Sequence, residues 1–401
     1  MNGIALDIYS YLQVGLLIIT ALATCYFFLF SVAGLFYREN NKSTATKNRK
    51  FAVLIPGYKE DEVIIEVAED ALRQQYPTDC FDVVIIADSF KKETLEKLAA
   101  LPLKLIEVQF EKSTKAKALN KAMSQLPDDY DIALVLDADN LMEPNFLQKM
   151  NIAFERNFKA IQGHRTAKNL NTNLAVLDAI SEEINNHIFR KGHRAVGLSS
   201  GIIGSGMAFD YQYFKKMMLE VKAIGGFDKE IELKMLKAKH QIDYLEDAII
   251  YDEKVQNSEA FTIQRRRWLS AQFHYFSQDI GSAFRDLFFK ANFDYFIKII
   301  QFVQPPRILL LGLVTIESVL FIILNLLFTS TGLYNDFWIA TFVACYLAFF
   351  FAVPGKYYNL QTAKAIIDLP KGMFLMLGSL LKIKGANKQF LHTPHGKVDS
   401  K

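Results

Sequence analysis

The stretch DIALVLDAD, residues 131–139, decides the fold. Its unbroken apolar run from Ile132 to Leu136 suits a strand covered on both faces, and such strands pair in parallel between layers of helix. The run ends on Asp137, with Asp139 two residues further on. If the strand continues, alternation sends both carboxylates to the same side, where they converge on one point. The same rhythm recurs on either side: FAVLIP (51–56) precedes a helix near 61–75, DVVIIAD (82–88) one at 91–99, and LKLIEV (103–108) one at 115–125, while a helix at 144–155 follows Asp139. The expected class is therefore α/β, open and doubly wound, over residues 50–280. Ligands of such sheets bind at the carboxyl ends of the strands. Three ends run into polar groups: Pro56 to Glu60, Asp88-Ser89, and Asp137 to Asp139.

Two hard oxygen ligands at one point suit Mg²⁺ or Mn²⁺ completed by phosphate oxygens. The alternative is an Asp-rich turn capping the next helix. No GxGxxG follows the first strand and no GxxxxGK[ST] occurs, so a dinucleotide fold and a P-loop both lose their main sequence support.

The rest of the chain is oilier. Hydrophobic residues reach 51% and charged residues 22%, which is too apolar for an ordinary soluble enzyme and too charged for a transporter. A net charge of +3 leaves no field for nucleic acid. Three cysteines without a CxxC pair give neither a disulfide framework nor a zinc site. From Ile8 to Tyr37 no charge occurs, a run longer than the roughly 20 residues a span needs. A cleaved signal peptide would want positive charge ahead of a shorter run. Further spans fit near 308–328 and 337–355, within 308–355. Arg38, Lys42, Lys47, Arg49 and Lys50 follow the first run, and five Lys lie between Lys382 and Lys401 in the tail (356–401), whereas the loop from Thr329 to Asp336 has no Lys or Arg. The positive-inside rule then puts the N-terminus outside and the middle of the chain in the cytoplasm. Glu317, inside a span, is read as a packing group. Residues 282–304 interleave Phe with Arg and Lys, which fits a helix in the headgroup layer or one packed on the domain. Lys371 to Lys384 is a second interfacial candidate, too short to span.

The chain also resembles the membrane-bound inverting glycosyltransferases of family 2, the GT-A class that includes cellulose and hyaluronan synthases. The resemblance rests on IPGYKE (55–60), Asp88, KAKALN (115–120), DAD (137–139), GSGMAF (204–209), DKEIEL (228–233) and QRRRW (264–268), spread in the family's order. It implies that Pro56, Tyr58, Glu60 and Asp88 border the nucleotide, with Lys115 near the diphosphate. Asp137 would face the nucleotide and Asp139 would hold the metal. Gln162 and Arg165, with His164 between them, resemble the family's Q-G-x-R segment and would face the donor. Gly204, Ser205 and Gly206 would line the acceptor side. The family's E-D-x-E-L pattern here reads Lys229-Glu230-Ile231-Glu232-Leu233, which ranks Glu230 first as general base and Asp228, a possible N-cap, second. Gln264, Arg267 and Trp268 share one helix face, so the Arg can meet diphosphate oxygens and the Trp a sugar ring; an Arg-rich face on anionic headgroups is the competing account. His392 and His395 lack a third ligand, and HTPHGK (392–397), similar to a closing segment of related synthases, is assigned no chemistry.

The expected function is metal-dependent transfer of a sugar from a nucleotide-diphosphate donor, a uridine one by preference, to a saccharide or lipid-linked acceptor at the membrane. A processive polysaccharide synthase, for which a partner membrane subunit would complete a channel, and an inactive nucleotide-sugar-binding partner are the alternatives.

Overall fold

The computed structural model describes residues 3–39, 44–221, 223, 225–328 and 333–383. His392, His395 and the HTPHGK phrase lie outside the described residues.

The central sheet contains β1 (Phe51–Tyr58), β2 (Phe81–Asp88), β3 (Lys104–Val108), β4 (Ile132–Val135), β5 (Leu141–Met142), β6 (Ala160–Ala167), β7 (Met207–Asp210) and β8 (Ile242–Asp252), in the order β3-β2-β1-β4-β7-β6-β8-β5. β1 pairs in parallel with β2 and β4, and β2 with β3, as their apolar runs imply. Strand alternation splits the core into two layers. Ala52, Leu54, Val84, Ile86 and Val135 meet Leu119 of helix Lys115–Gln125 and Phe214 of helix Tyr211–Met218. Val53, Ile55, Val83, Ile85 and Leu134 meet Ile64 and Val67 of helix Ile64–Leu72 and Leu147 of helix Phe146–Ala153. At roughly 1.5–3 kcal/mol per fully buried branched side chain, these layers are the main force holding the domain together.

Two features depart from the sequence reading. The sheet is mixed, because β7 runs antiparallel to both β4 and β6. Its four residues hide directly behind two glycines, so the segment reads as a turn. The strand of DIALVLDAD also ends earlier than expected, at Val135. Leu136 still donates to the Leu54 carbonyl at 3.0 Å, and Asp137 then opens a turn in which the Asn140 amide reaches the Asp137 carbonyl at 3.2 Å. Strand alternation therefore does not govern how the two carboxylates point.

Among the described residues, three helices are long and apolar enough to cross a membrane: Asp7–Leu35, Arg307–Phe328 and Tyr334–Ala352. Phe27, Leu310, Val314, Cys345 and Ala348 form their shared core, and the Ser31 hydroxyl donates to the Ala348 carbonyl at 2.5 Å. Glu317 is buried inside this bundle.

Residues 282–304 are not one helix. Ser258–Lys290 is a single long helix, Ala291 breaks it in the left-handed region (φ 49°), and Asn292 caps the next helix, Phe293–Val303, by accepting from the Tyr295 amide at 3.3 Å. The Asn292 side chain also donates to the Leu236 carbonyl at 2.8 Å, which fixes the bend against the domain. Tyr295, Ile299 and Phe302 are buried in the domain core, whereas Phe288, Phe289 and Phe293 are exposed around the bend. In the tail, helix Leu369–Leu381 buries Met376 against Phe261 and Leu269 and exposes Phe374, Leu377 and Leu381.

The domain meets the first apolar helix through a π-helical segment, Asn186–Gly192. A Cβ on Gly192 would lie 2.1 Å from the Phe30 carbonyl oxygen, a backbone atom that cannot rotate aside. Gly192→Val should therefore push the domain off this helix at a cost of about 1–3 kcal/mol. A lowered midpoint in thermal unfolding of the purified protein is the expected readout, and an unchanged midpoint would show that the contact is not formed.

Candidate active site

The carboxyl ends of β1, β2 and β4 open into a cavity of about 360 Å³, within the range of small-molecule sites. Lys59 and Ser89 both take positive φ, 56° and 61°, which turns the chain sharply after β1 and β2. These bends leave Pro56, Tyr58, Glu60 and Asp88 on the cavity wall. Asp88 is buried and accepts from the Ser89 hydroxyl at 2.9 Å.

Lys115 is the first residue of its helix, whose N-cap Thr114 accepts from the Lys117 amide at 3.2 Å. Its ammonium reaches across to Asp137 Oδ1 and donates to the Gly204 carbonyl at 2.7 Å. One cation thus ties the turn after β4 to the loop before β7. Asp139 is buried on the same wall; Asn140 Nδ2 donates to it at 3.2 Å and to Asp252 at 2.9 Å.

Along β6 the expected donor-facing residues separate. Arg165 lines the cavity, 2.8 Å from Glu182 and 3.8 Å from Asp252. Burial alone would lower its pKa, but Asp252, Glu182 and Asp137 raise it above its ordinary value. Burial would likewise raise Glu182, yet Arg165, Lys254 and Arg190 hold it well below the usual carboxylate range. His164 is held elsewhere, by Tyr244 at 2.7 Å and Glu183 at 3.1 Å. Gln162 does not line the cavity. It is fully buried beneath the loop, donates to the Ser205 carbonyl at 2.9 Å, and accepts from the Ile203 amide at 3.1 Å.

Of the three residues expected on the acceptor side, Gly204 alone lines the cavity. The Ser205 hydroxyl is turned inward, accepting from the Asp137 amide at 2.9 Å and donating to Asn140 at 2.5 Å. Gly206 has φ 61°, and a Cβ there would meet Ile250 at 1.7 Å. These two residues shape the turn that Lys115 clamps.

The carboxylates of DKEIEL are sorted by helix phase. Residues two apart point to nearly opposite sides of a helix, and residues four apart share a side. On helix Phe227–Lys237, Asp228 and Glu232 line the cavity while Glu230 does not; Glu230 lies 3.9 Å from Lys234. Asp228, ranked second from the sequence, thus lines the cavity, and Glu230, ranked first, does not. The helix begins after the left-handed Gly226 (φ 69°), so the side facing the cavity is set by a backbone feature that motif spacing does not contain.

Gln264, Arg267 and Trp268 line the opposite wall together. Burial lowers the Arg267 pKa, opposed by Asp137 and Asp228, so the guanidinium senses both carboxylates at once. Arg265 does not line the cavity but backs it, pairing with the lining residue Asp178 and lying over the Trp268 ring at 4.5 Å. Motif reading missed Glu182, Arg190, Glu232, Asp252, Lys254 and Lys298, all of which line the cavity. A charged residue every few positions along an otherwise apolar helix was the available signal for Lys298.

Among the described lining side chains, carboxylates outnumber cations, which favours a divalent cation. No cluster of three or more His, Cys, Asp or Glu suited to a metal exists among the described residues. Any cation at Asp137 and Asp139 would therefore draw further ligands from outside the protein, as Mg²⁺ and Mn²⁺ do when they bind substrate phosphates.

The sequence profile described as glycosyltransferase like family 2 matches residues 48–271. Among curated proteins no sequence matches the chain. A mannosyltransferase from Pyrobaculum calidifontis, solved in complex with GDP-Man and Mn²⁺, is 14% identical; the match covers 92% of this chain and 97% of that one, with a TM-score of 0.57. Residues 1–349 of S. aureus TarS, in complex with UDP-GlcNAc, are 16% identical, with 83% and 92% covered and a TM-score of 0.40. The mixed sheet with its acidic strand-end cavity is that of a GT-A glycosyltransferase. The chain belongs to glycosyltransferase family 2.

Proposed function

We propose that this enzyme is anchored in the membrane by its three apolar helices, with the catalytic domain on the cytoplasmic side, and moves one sugar from a nucleotide-diphosphate donor to an acceptor at the membrane surface. The observation that carries this reading is the position of Phe189. This residue lines the cavity, and its ring packs 6.0 Å from that of Phe27 of the first apolar helix. Arg307, the first residue of the second apolar helix, lies over the same ring at 5.8 Å and donates to Asn185. The floor of the site and the membrane bundle are thus one side chain apart.

In this reading Pro56, Tyr58, Glu60 and Asp88 hold the nucleoside, and Lys115, Arg165 and Arg267 face its diphosphate. Asp139 and Asp137 would hold Mg²⁺ or Mn²⁺, which when bound supplies Lewis-acid help to the departing diphosphate. Gln264 and Trp268 face the acceptor. Asp228 takes the proton from the attacking hydroxyl as the anomeric bond to the diphosphate breaks, and single displacement inverts that carbon.

The test uses the full chain in lipid nanodiscs with a panel of nucleotide sugars, Mn²⁺ and a panel of alkyl glycosides and lipid extract as acceptors, following free nucleoside diphosphate and the glycosylated product. Release with one or more donors is expected; EDTA should stop it, and added Mn²⁺ or Mg²⁺ should restore it. Silence with every donor would sink the catalytic reading in favour of a binding role. A single product size is expected, since three helices leave little room for a polymer channel, and a ladder would indicate processive synthesis.

A further inference from the structure

Three further ion pairs line the cavity. Lys298 Nζ lies 2.6 Å from Glu232 Oε1, Arg190 Nη1 3.4 Å from Glu182 Oε1, and Lys229 Nζ 3.7 Å from Asp228 Oδ2. Arg165 also meets Glu182, at 2.8 Å, and Asp252, at 3.8 Å, so each of these cations already has a carboxylate partner and none is left over as a site for an anion.

The Lys298–Glu232 pair bears most directly on Asp228. Glu232 is one helical turn from Asp228 on the same face, and Lys298 comes from helix Phe293–Val303 beside the apolar bundle. Both side chains are almost fully buried. Taking two charges out of water costs several kcal/mol each before their attraction returns it, so such a pair adds little to stability. Its hydrogen-bonding capacity is also only partly used. Lys298 has three N–H donors; it lies against Glu232 and donates to Gln301 at 3.1 Å. Glu232 Oε1 faces Lys298 and accepts from the Ile202 amide at 3.4 Å, and Glu232 lines the cavity. Burial raises the Glu232 pKa and lowers that of Lys298, each opposed by the other. A further fixed charge beside this pair would be unfavourable.

A hydroxyl group both donates and accepts, and a carboxylate beside an ammonium offers the complementary acceptor and donor. A phosphate brings only acceptors and negative charge, and here it would face Glu232, Glu182 and Asp228. We propose that the acceptor is a saccharide hydroxyl positioned for Asp228 by Glu232 and Lys298, and that a bare lipid phosphate is not the acceptor. This rests on the transferase reading above. The acceptor oxygen bonds to the anomeric carbon as its proton passes to the Asp228 carboxylate. The bond from that carbon to the diphosphate breaks, and its electron pair leaves on the nucleoside diphosphate.

The experiment takes the nanodisc-embedded full chain and whichever nucleotide sugar it hydrolyses. Octyl glycosides of several sugars, below their micellar concentration, serve as the saccharide probe, and phytanyl phosphate as the lipid-phosphate probe. At least one glycoside should be glycosylated and should speed nucleoside diphosphate release, while phytanyl phosphate should do neither. Losing one hydrogen bond to a charged group costs about 1.5–3 kcal/mol. Glu232→Gln and Lys298→Met should therefore each raise KM for the glycoside about tenfold or more, with a much smaller change in kcat and in KM for the donor. Transfer to phytanyl phosphate overturns the proposal, as does failure of every glycoside. A fall in kcat without a rise in glycoside KM in both variants removes the positioning role. Absence of acceptor-independent donor hydrolysis in the wild type would instead strike at the transferase reading itself.

Discussion

Asp139→Ala should lower nucleoside diphosphate release by about a thousandfold, or roughly 4 kcal/mol of barrier, with the fold intact. The size follows from where Asp139 lies. It is buried at the end of the β4 turn, and Asn140 ties it to Asp252, so a cation held there would be fixed in place. Asp137→Ala should cost less catalytically, because Oδ1 of Asp137 is already engaged by Lys115. It should cost more in stability, because that ion pair joins the turn to the Gly204 loop. Initial rates with Mn²⁺ at saturating donor, alongside thermal unfolding of each variant, separate the two effects. Equal rates for wild type and Asp139→Ala would refute a metal role for this carboxylate.

Asp228→Asn should abolish transfer while leaving donor binding in place, a loss of about 10²–10⁴-fold as expected for a general base. Glu230→Gln should stay within about threefold of wild type, since on the opposite side of the helix it can act only through distant electrostatics. Turnover and donor affinity measured on both variants decide the matter. If Glu230→Gln silences the enzyme and Asp228→Asn does not, the assignment made from cavity geometry is wrong. Burial and the neighbouring Glu230 and Asp228 raise the Tyr275 pKa, so that phenol stays neutral at working pH and does not compete for the proton.

Much of the architecture could be read from the sequence because parallel strands must be apolar on both faces. FAVLIP and DVVIIAD have no other stable home, and β1 and β2 occupy them almost residue for residue. The ends of those strands mark the cavity for the same reason, since the first polar residue after a buried strand stands at its rim. What escaped notice depends on backbone phase and not on composition. One or two residues of strand more or less decide whether Asp137 and Asp139 alternate or turn, and the strand ends at Val135 with the turn opening at Asp137. The helix that starts after the left-handed Gly226 brings Asp228 and Glu232, but not Glu230, to the cavity. Lys298 lies on a segment whose Phe and Lys content suits a membrane surface as well as a domain core. Only the bend at Ala291 and Asn292 brings it into the site.

The dual position of Phe189 also determines how far this enzyme can be simplified. A residue that lines the reaction chamber and rests its ring on Phe27 needs both neighbours to keep its place. Cutting the chain after the first apolar helix, or before Arg307, would therefore breach the chamber as well as untether it. The apolar bundle and the enclosure of the cavity share one packing contact, so a version without the apolar helices needs a substitute wall.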